Sequence, residues 1–237
     1  MQAGNALPRP AIEAVIFDMD GVLIDSEPLW QQSEYEVFSA LGVPLTPAMC
    51  QQTMGLRVDQ VVSYWQQRFP QLALDVQPTA AAILDRVALQ IREQGKPLPG
   101  VVATLQRLQD LGLKIGLATS SPRRLVTTVL TTLGILDYFT LWHSAEGEPF
   151  GKPHPAVYLT TAARLGTPPS QCLAIEDSLN GLLAAKSAGM TLLAVPDPHS
   201  AADPRWVWAD YRLPSLAEFT TAHPLWQHLR GIAAVLP

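Results

Sequence analysis

Ile16-Phe17-Asp18-Met19-Asp20-Gly21-Val22-Leu23-Ile24-Asp25-Ser26 is the stretch on which the reading of this chain turns. The apolar, β-prone run from Ala11 to Phe17 ends in two carboxylates two residues apart, and a glycine follows. Such a run reads as a strand buried on both faces of a sheet. A strand that stops in Asp-x-Asp aims both acids at one mouth of that sheet. There they could hold a divalent cation, attack an electrophile or move a proton. Taken alone, the same residues also suit a capping turn on a strand end.

Outward from this point the chain changes period. Leu29 to Leu41, Val58 to Phe69 and Pro78 to Gln94 read as helices, closed by Gly42, Pro70 and Gly95, with no strand between them. Lys96-Pro97-Leu98-Pro99-Gly100 then breaks the chain. Beyond it, helix and strand alternate. Helices are expected from Val101 to Leu111, from Thr119-Ser120-Ser121-Pro122 toward Gly134, from Pro155 to Leu165, and from Glu176-Asp177-Ser178 to Gly189. Strands are expected at Lys114–Ala118, Tyr138–Trp142, Cys172–Ile175 and Thr191–Val195. This alternation implies right-handed βαβ units and an α/β fold with a Rossmann-like parallel sheet. The helical stretch interrupts the sheet after its first strand, so it is expected to form an inserted α-helical cap. The expected division is a core of 1–27 and 98–237 and a cap of 28–97, with hinges near Ser26–Pro28 and Gly95–Pro99.

Composition narrows the function. The net charge of −5 is mild and Lys and Arg are not clustered, so no nucleic-acid surface is expected. Cys50 and Cys172 match no zinc or redox spacing, and Cys172 lies in an apolar run as a buried thiol would. No apolar run approaches the roughly 20 residues of a membrane span. The first ten residues, Met1 to Pro10, show no basic-then-apolar leader pattern. The expectation is a cytoplasmic protein with no membrane or nucleic-acid partner.

In a parallel sheet, ligands bind beyond the carboxyl ends of the strands. Four polar clusters sit just after expected strands: Asp18-Met19-Asp20, Thr119-Ser120, Lys152 in Gly151-Lys152-Pro153-His154-Pro155, and Glu176-Asp177. Acids beside a lysine and a helix N-terminus describe a site for Mg²⁺ and a phosphate. Each cluster has a plainer reading. Thr119 and Ser120 could N-cap the next helix, Lys152 could be a solvated lysine, and Asp177-Ser178 could be an N-cap, with Ser178 capping while Asp177 faces a metal.

In this order and after these elements, the four clusters resemble the haloacid dehalogenase superfamily, over roughly Ile12 to Ala217. The likeness is to its β-phosphoglucomutase-like sugar-phosphatase branch. Phe17 to Trp30 and Ile175-Glu176-Asp177-Ser178-Leu179-Asn180-Gly181 bring it nearest to bacterial hexitol and 2-deoxyglucose-6-phosphate phosphatases. The resemblance implies that Asp18 is the nucleophile, forming an aspartyl-phosphate. It implies that Asp20 protonates the leaving oxygen and then activates water. Mg²⁺ would be held by Asp18, the Asp20 backbone carbonyl and Asp177, with Glu176 supporting it through water or ligating directly. Lys152, the Thr119 hydroxyl and the Ser120 N–H would surround the transferring oxygens.

The cap would choose the leaving group. Gly55-Leu56-Arg57 lies between two cap helices, and a basic cap-loop residue in relatives reaches the site. Arg57 is therefore a candidate substrate contact, or else a surface arginine at a helix start. Glu27 and Trp30 could also line the cavity. The β-phosphoglucomutases carry a gating histidine where this chain has Trp30, and no histidine occurs before His143. The span 28–95 holds no lysine, which excludes the Schiff base of the phosphonatase branch. The expected activity is hydrolysis of sugar or sugar-alcohol phosphates, among them hexose 6-phosphates, 2-deoxyglucose 6-phosphate and hexitol phosphates. Alternatives are a hexose-phosphate mutase and a non-catalytic sugar-phosphate sensor. A monomer is the default expectation.

Overall fold

The structure, a computed structural model, describes residues 10–53 and 56–229. Met1 to Arg9, read above for a leader, and Gly55 of the cap loop lie outside the described residues. Six strands, β1 (Ala14–Phe17), β2 (Lys114–Thr119), β3 (Leu141–Ser144), β4 (Cys172–Glu176), β5 (Thr191–Ala194) and β6 (Tyr211–Arg212), form one sheet in the order β3-β2-β1-β4-β5-β6. Every pairing is parallel. β1 is central, flanked by β2 and β4, so its carboxyl end is walled on both sides by other strand ends.

Alternation along the strands explains the layers. Ala14 and Ile16 point to one face, where they meet Val157, Tyr158 and Ala162 of α7 (Ala156–Leu165) and Leu182 and Ala185 of α8 (Leu179–Ser187). Val15 and Phe17 point to the other, into a cluster with Leu105 of α5 (Val101–Asp110) and Val129 of α6 (Arg123–Thr132). That second cluster continues into the inserted helices α1 (Glu27–Ala40), α2 (Pro47–Cys50), α3 (Val58–Arg68) and α4 (Val76–Gln94), through Phe38, Trp65, Ile83 and Val87. A further helix, α9 (Leu225–Leu229), follows β6 among the described residues. No helix among the described residues is long and apolar enough to cross a membrane. Both cysteines are buried, and burial pushes the Cys172 thiol up to about 12.

The inserted helices leave and rejoin the sheet side by side. Ile24 bridges Pro97, and Leu98 N–H donates to Leu23 O at 3.0 Å. One strand reading is corrected. Tyr138 ends a 3₁₀ turn at Leu136–Tyr138, so β3 begins three residues later than expected. β6 has only two residues, too few for any alternation to show.

Candidate active site

The parallel register sets the first acid. Phe17 pairs with Leu117 on one side and Ile175 on the other, and Asp18 N–H donates to Ile175 O at 2.9 Å. Asp18 therefore leaves the sheet beside Ala118 and Glu176. The chain then turns tightly, with Gly21 at φ +73°. A side chain at Gly21 would be strained there, and its Cβ would lie 2.0 Å from Asp177 Oδ2. The glycine after the Asp-x-Asp pair thus makes room for the acid at the end of β4.

Lys152 ties three strand ends together. Its Nζ donates to Asp18 Oδ1 at 2.7 Å, Glu176 Oε1 at 2.6 Å and Ala118 O at 3.0 Å, which uses all three ammonium protons. It also lies 4.9 Å from the centre of the Tyr158 ring. Burial alone would lower the Lys152 pKa, but Asp18 and Glu176 outweigh it and hold the ammonium charged.

One oxygen each from Asp18, Glu176 and Asp177 gathers within 4.8 Å. Burial pushes the Asp18 carboxyl up to about 7; Lys152 pulls it back, and Glu176 and Asp20 push it further. Asp177 is raised well above the carboxylate range, by burial first and then by Glu176 and Asp18. Three acids thus gather around one lysine, and a divalent cation is the complement this donor set fits. Glu176 differs from the other two. Its Oε1 accepts from Lys152 and from the Tyr158 hydroxyl at 2.7 Å. Its Oε2 accepts from Asp177 N, Ser178 N and Ser178 Oγ. With its lone pairs engaged, Glu176 suits holding Lys152 and the β4–α8 turn better than ligating an ion, although it is close enough. Gly181 makes this possible: a Cβ there would sit 1.8 Å from the Glu176 carboxyl carbon.

Asp20 stands apart from that cluster. Ser26 Oγ donates to its Oδ1 at 2.5 Å and Ser121 Oγ to its Oδ2 at 2.6 Å. Neither serine was singled out in the sequence as a partner of Asp20. Ser26 precedes α1, and Ser121 follows the Thr119-Ser120 pair. Thr119 is buried at the end of β2, and its Oγ1 accepts Ser121 N–H at 3.0 Å, so its hydroxyl proton is available. Ser120 is exposed at the same turn. The capping reading of Thr119 and Ser120 is corrected. Pro122, with no N–H to cap, comes directly before α6, and the Arg123 N–H goes to Glu146 at 3.2 Å. Ser178 does cap α8, accepting Gly181 N–H at 3.0 Å, which leaves the Asp177 carboxyl for the acid cluster.

Arg57 is the residue the structure does not bring to this cluster. Its guanidinium Nε lies 3.1 Å from Asp59 Oδ1, and its backbone N–H meets Gln60, at the start of α3. An acid two residues away on the same exposed turn is its partner. Glu27 does approach the site. Burial raises its carboxyl, and Asp20, Asp197 and Asp25 raise it further. A separate cleft, lined by Arg123, Phe139, Trp142 and Arg164, runs along edge strand β3, and none of the four acids lines it.

The chain is similar to several known proteins. Hexitol phosphatase B of Escherichia coli K12 is 43% identical over 214 residues, 90% of this chain and 96% of that protein. A phosphorylated carbohydrates phosphatase of Thermotoga maritima is 33% identical over 183 residues, 76% of this chain and 82% of its own. Among solved structures, CbbY from Rhodobacter sphaeroides in complex with phosphate superposes with a TM-score of 0.78 at 25% identity, covering 88% of this chain and 96% of CbbY. A putative β-phosphoglucomutase from T. maritima gives 0.71 at 28% identity, covering 95% and 100%. Residues 12–189 match the haloacid dehalogenase-like hydrolase family, a span that carries all four clusters, and the chain belongs to that family.

Proposed function

We propose that the chain is a Mg²⁺-dependent phosphatase of sugar or sugar-alcohol phosphates that works through an aspartyl-phosphate on Asp18. That it is a phosphoric monoester hydrolase follows from its family and from relatives named as phosphatases. The observation that carries the finer reading is the division among the acids. Asp18 is locked to Lys152 at 2.7 Å, whereas Asp20 is held by two neutral hydroxyls outside the cluster.

In this reading the second oxygen of Asp18 attacks phosphorus, and the bond to the sugar oxygen breaks. Asp20 gives that oxygen its proton, then takes one from the water that attacks the acyl-phosphate. Lys152 and the Thr119 hydroxyl offset charge on the transferring oxygens, and Glu176 keeps Lys152 in place. Asp18 and Asp177 would hold Mg²⁺, which when bound neutralises phosphate charge. Trp30, half-buried at the start of α1, stands where a mutase has its gating histidine, which favours hydrolysis over phosphate return. The inserted helices act as the cap over this mouth.

The test is phosphate release over hexose 6-phosphates, hexitol phosphates and 2-deoxyglucose 6-phosphate with Mg²⁺, alongside an EDTA control. Turnover that EDTA abolishes and Mg²⁺ restores is expected. A sugar 1-phosphate rearranging to the 6-phosphate faster than phosphate appears would make the enzyme a mutase.

A further inference from the structure

Tyr158 touches the acid cluster but has no part in the reaction proposed above. It lies in the first turn of α7 and is fully buried between that helix and the sheet. A buried phenol needs a hydrogen-bond partner. A carbonyl of its own helix would serve, as Val157 O does for the Thr161 hydroxyl at 2.6 Å. The Tyr158 hydroxyl instead donates to Glu176 Oε1 at 2.7 Å. Its ring serves the other member of the same ion pair, with Lys152 Nζ 4.9 Å from its centre. One side chain thus meets both ends of the Lys152–Glu176 bridge, the hydroxyl on the anion and the π face on the cation.

Counting acceptors shows what the hydroxyl decides. Glu176 Oε1 has two lone pairs, and Lys152 at 2.6 Å and Tyr158 at 2.7 Å fill them. Oε2 takes Asp177 N and Ser178 N, both at 3.2 Å, and Ser178 Oγ at 3.1 Å. Without the Tyr158 hydroxyl, Oε1 regains one lone pair. An oxygen of Glu176 lies within 4.8 Å of oxygens of Asp18 and Asp177, so that lone pair opens beside the two carboxylates that would hold the cation. A buried acceptor left without a donor is costly, and a divalent cation is the partner at hand.

We propose that Tyr158 is a positioning residue whose hydroxyl keeps Glu176 on Lys152 and out of the cation's ligand shell. The inference rests on the Mg²⁺-dependent reading above and deepens it. A cation with two protein carboxylates, not three, keeps more of its charge for the phosphate. Lys152 in turn keeps all three of its acceptors.

The test uses Tyr158→Phe, which removes one oxygen and keeps the ring, together with Glu176→Gln and the double variant. Two measurements are compared with the wild type. Mn²⁺, which takes the same oxygen ligands as Mg²⁺, is titrated into phosphate-free protein and followed by the electron paramagnetic resonance signal of the free ion. Steady-state kinetics are run with Mg²⁺ on sorbitol 6-phosphate and p-nitrophenyl phosphate. Tyr158→Phe is expected to bind Mn²⁺ about five-fold more tightly, because a third carboxylate joins the ion. Its kcat is expected to fall about five-fold on both esters, with KM within about two-fold, because Glu176 then holds Lys152 less firmly. In the Glu176→Gln background the hydroxyl has no carboxylate to restrain, so its removal should leave Mn²⁺ affinity within about two-fold. A merely structural phenol would shift the denaturation midpoint and leave Mn²⁺ affinity where it was. Unchanged or weaker Mn²⁺ binding in Tyr158→Phe, or the same gain in both backgrounds, overturns the role of Tyr158 and leaves the phosphatase reading standing. A wild type that binds no Mn²⁺ removes the metal-dependent reading, and the role of Tyr158 with it.

Discussion

The strand-end mouth and the inserted helices handle charge in opposite ways. At the mouth, Lys152 gives all its protons to fixed acceptors, and both oxygens of Glu176 are filled. In the insertion, charges pair at the surface, as Arg57 does with Asp59 and Arg86 with Glu36, whereas the buried Glu34 has no ion pair among the described residues and a hydrogen bond with Thr53. A closed network has one arrangement and suits a reaction that is the same for every ester. Substitutions at the mouth should therefore change turnover, and one at Glu34 should change stability.

Asp20→Asn should give the largest effect and draw the line inside the mouth itself. An amide cannot deliver the proton that a sugar alkoxide needs on leaving, so kcat on hexitol phosphates should fall by about 10²–10⁴. The p-nitrophenolate group leaves without protonation, so the first step on that ester should suffer far less. Burst kinetics can separate the steps: a retained burst of nitrophenolate followed by slow turnover is expected, because the same residue activates the second-step water. Equal loss of burst and turnover would remove the acid/base role from Asp20.

Gly181→Ala should come next. Its Cβ would lie 1.8 Å from the Glu176 carboxyl, which is pinned from both sides and has nowhere to go. Overpacking of this kind costs about 1–3 kcal/mol. Displacing Glu176 also frees Lys152 from its place beside Asp18, so kcat should fall about ten-fold or more on all esters alike. Denaturant midpoints and kinetics on two unlike esters check both halves. A loss confined to one ester would mean that Glu176 belongs to substrate selection.

The sequence exposed the two regions unequally, for a physical reason. Asp18, Lys152 and Asp177 were legible because strand ends in a parallel sheet converge by topology, so a polar residue at each end needs no further signal. Ser26 and Ser121 were not, because a serine in a turn looks the same whether its hydroxyl meets water or Asp20. Tyr158 left a faint mark, a large aromatic with a hydroxyl in a helix otherwise rich in small residues. Glu34 left none: between Gln31, Gln32 and Glu36 it reads as part of a solvated face. Arg57 was open to two readings because a basic residue beside a glycine loop fits either a ligand or its own neighbour, and Asp59 lies two residues away.

Glu34→Gln should also sharpen the contrast through stability, by a smaller amount. An ordinary glutamate titrates near 4.5, and the folded Glu34 at about 8. Below the lower value both states hold the proton, and pH has no leverage through this group. Between the two, only the folded chain keeps it, so stability falls as pH rises, by at most about 1.4 kcal/mol per pH unit. Above about 8 the loss is complete and the dependence flattens. Glutamine has no proton to lose, and the raised acids at the mouth, Asp18 and Asp177, are common to both proteins and cancel in the difference. Denaturation at pH 5.5 and pH 8 should show the variant gaining on the wild type toward high pH. Parallel curves would mean that Glu34 is solvated after all, and the insertion would then be as plain as its sequence suggests.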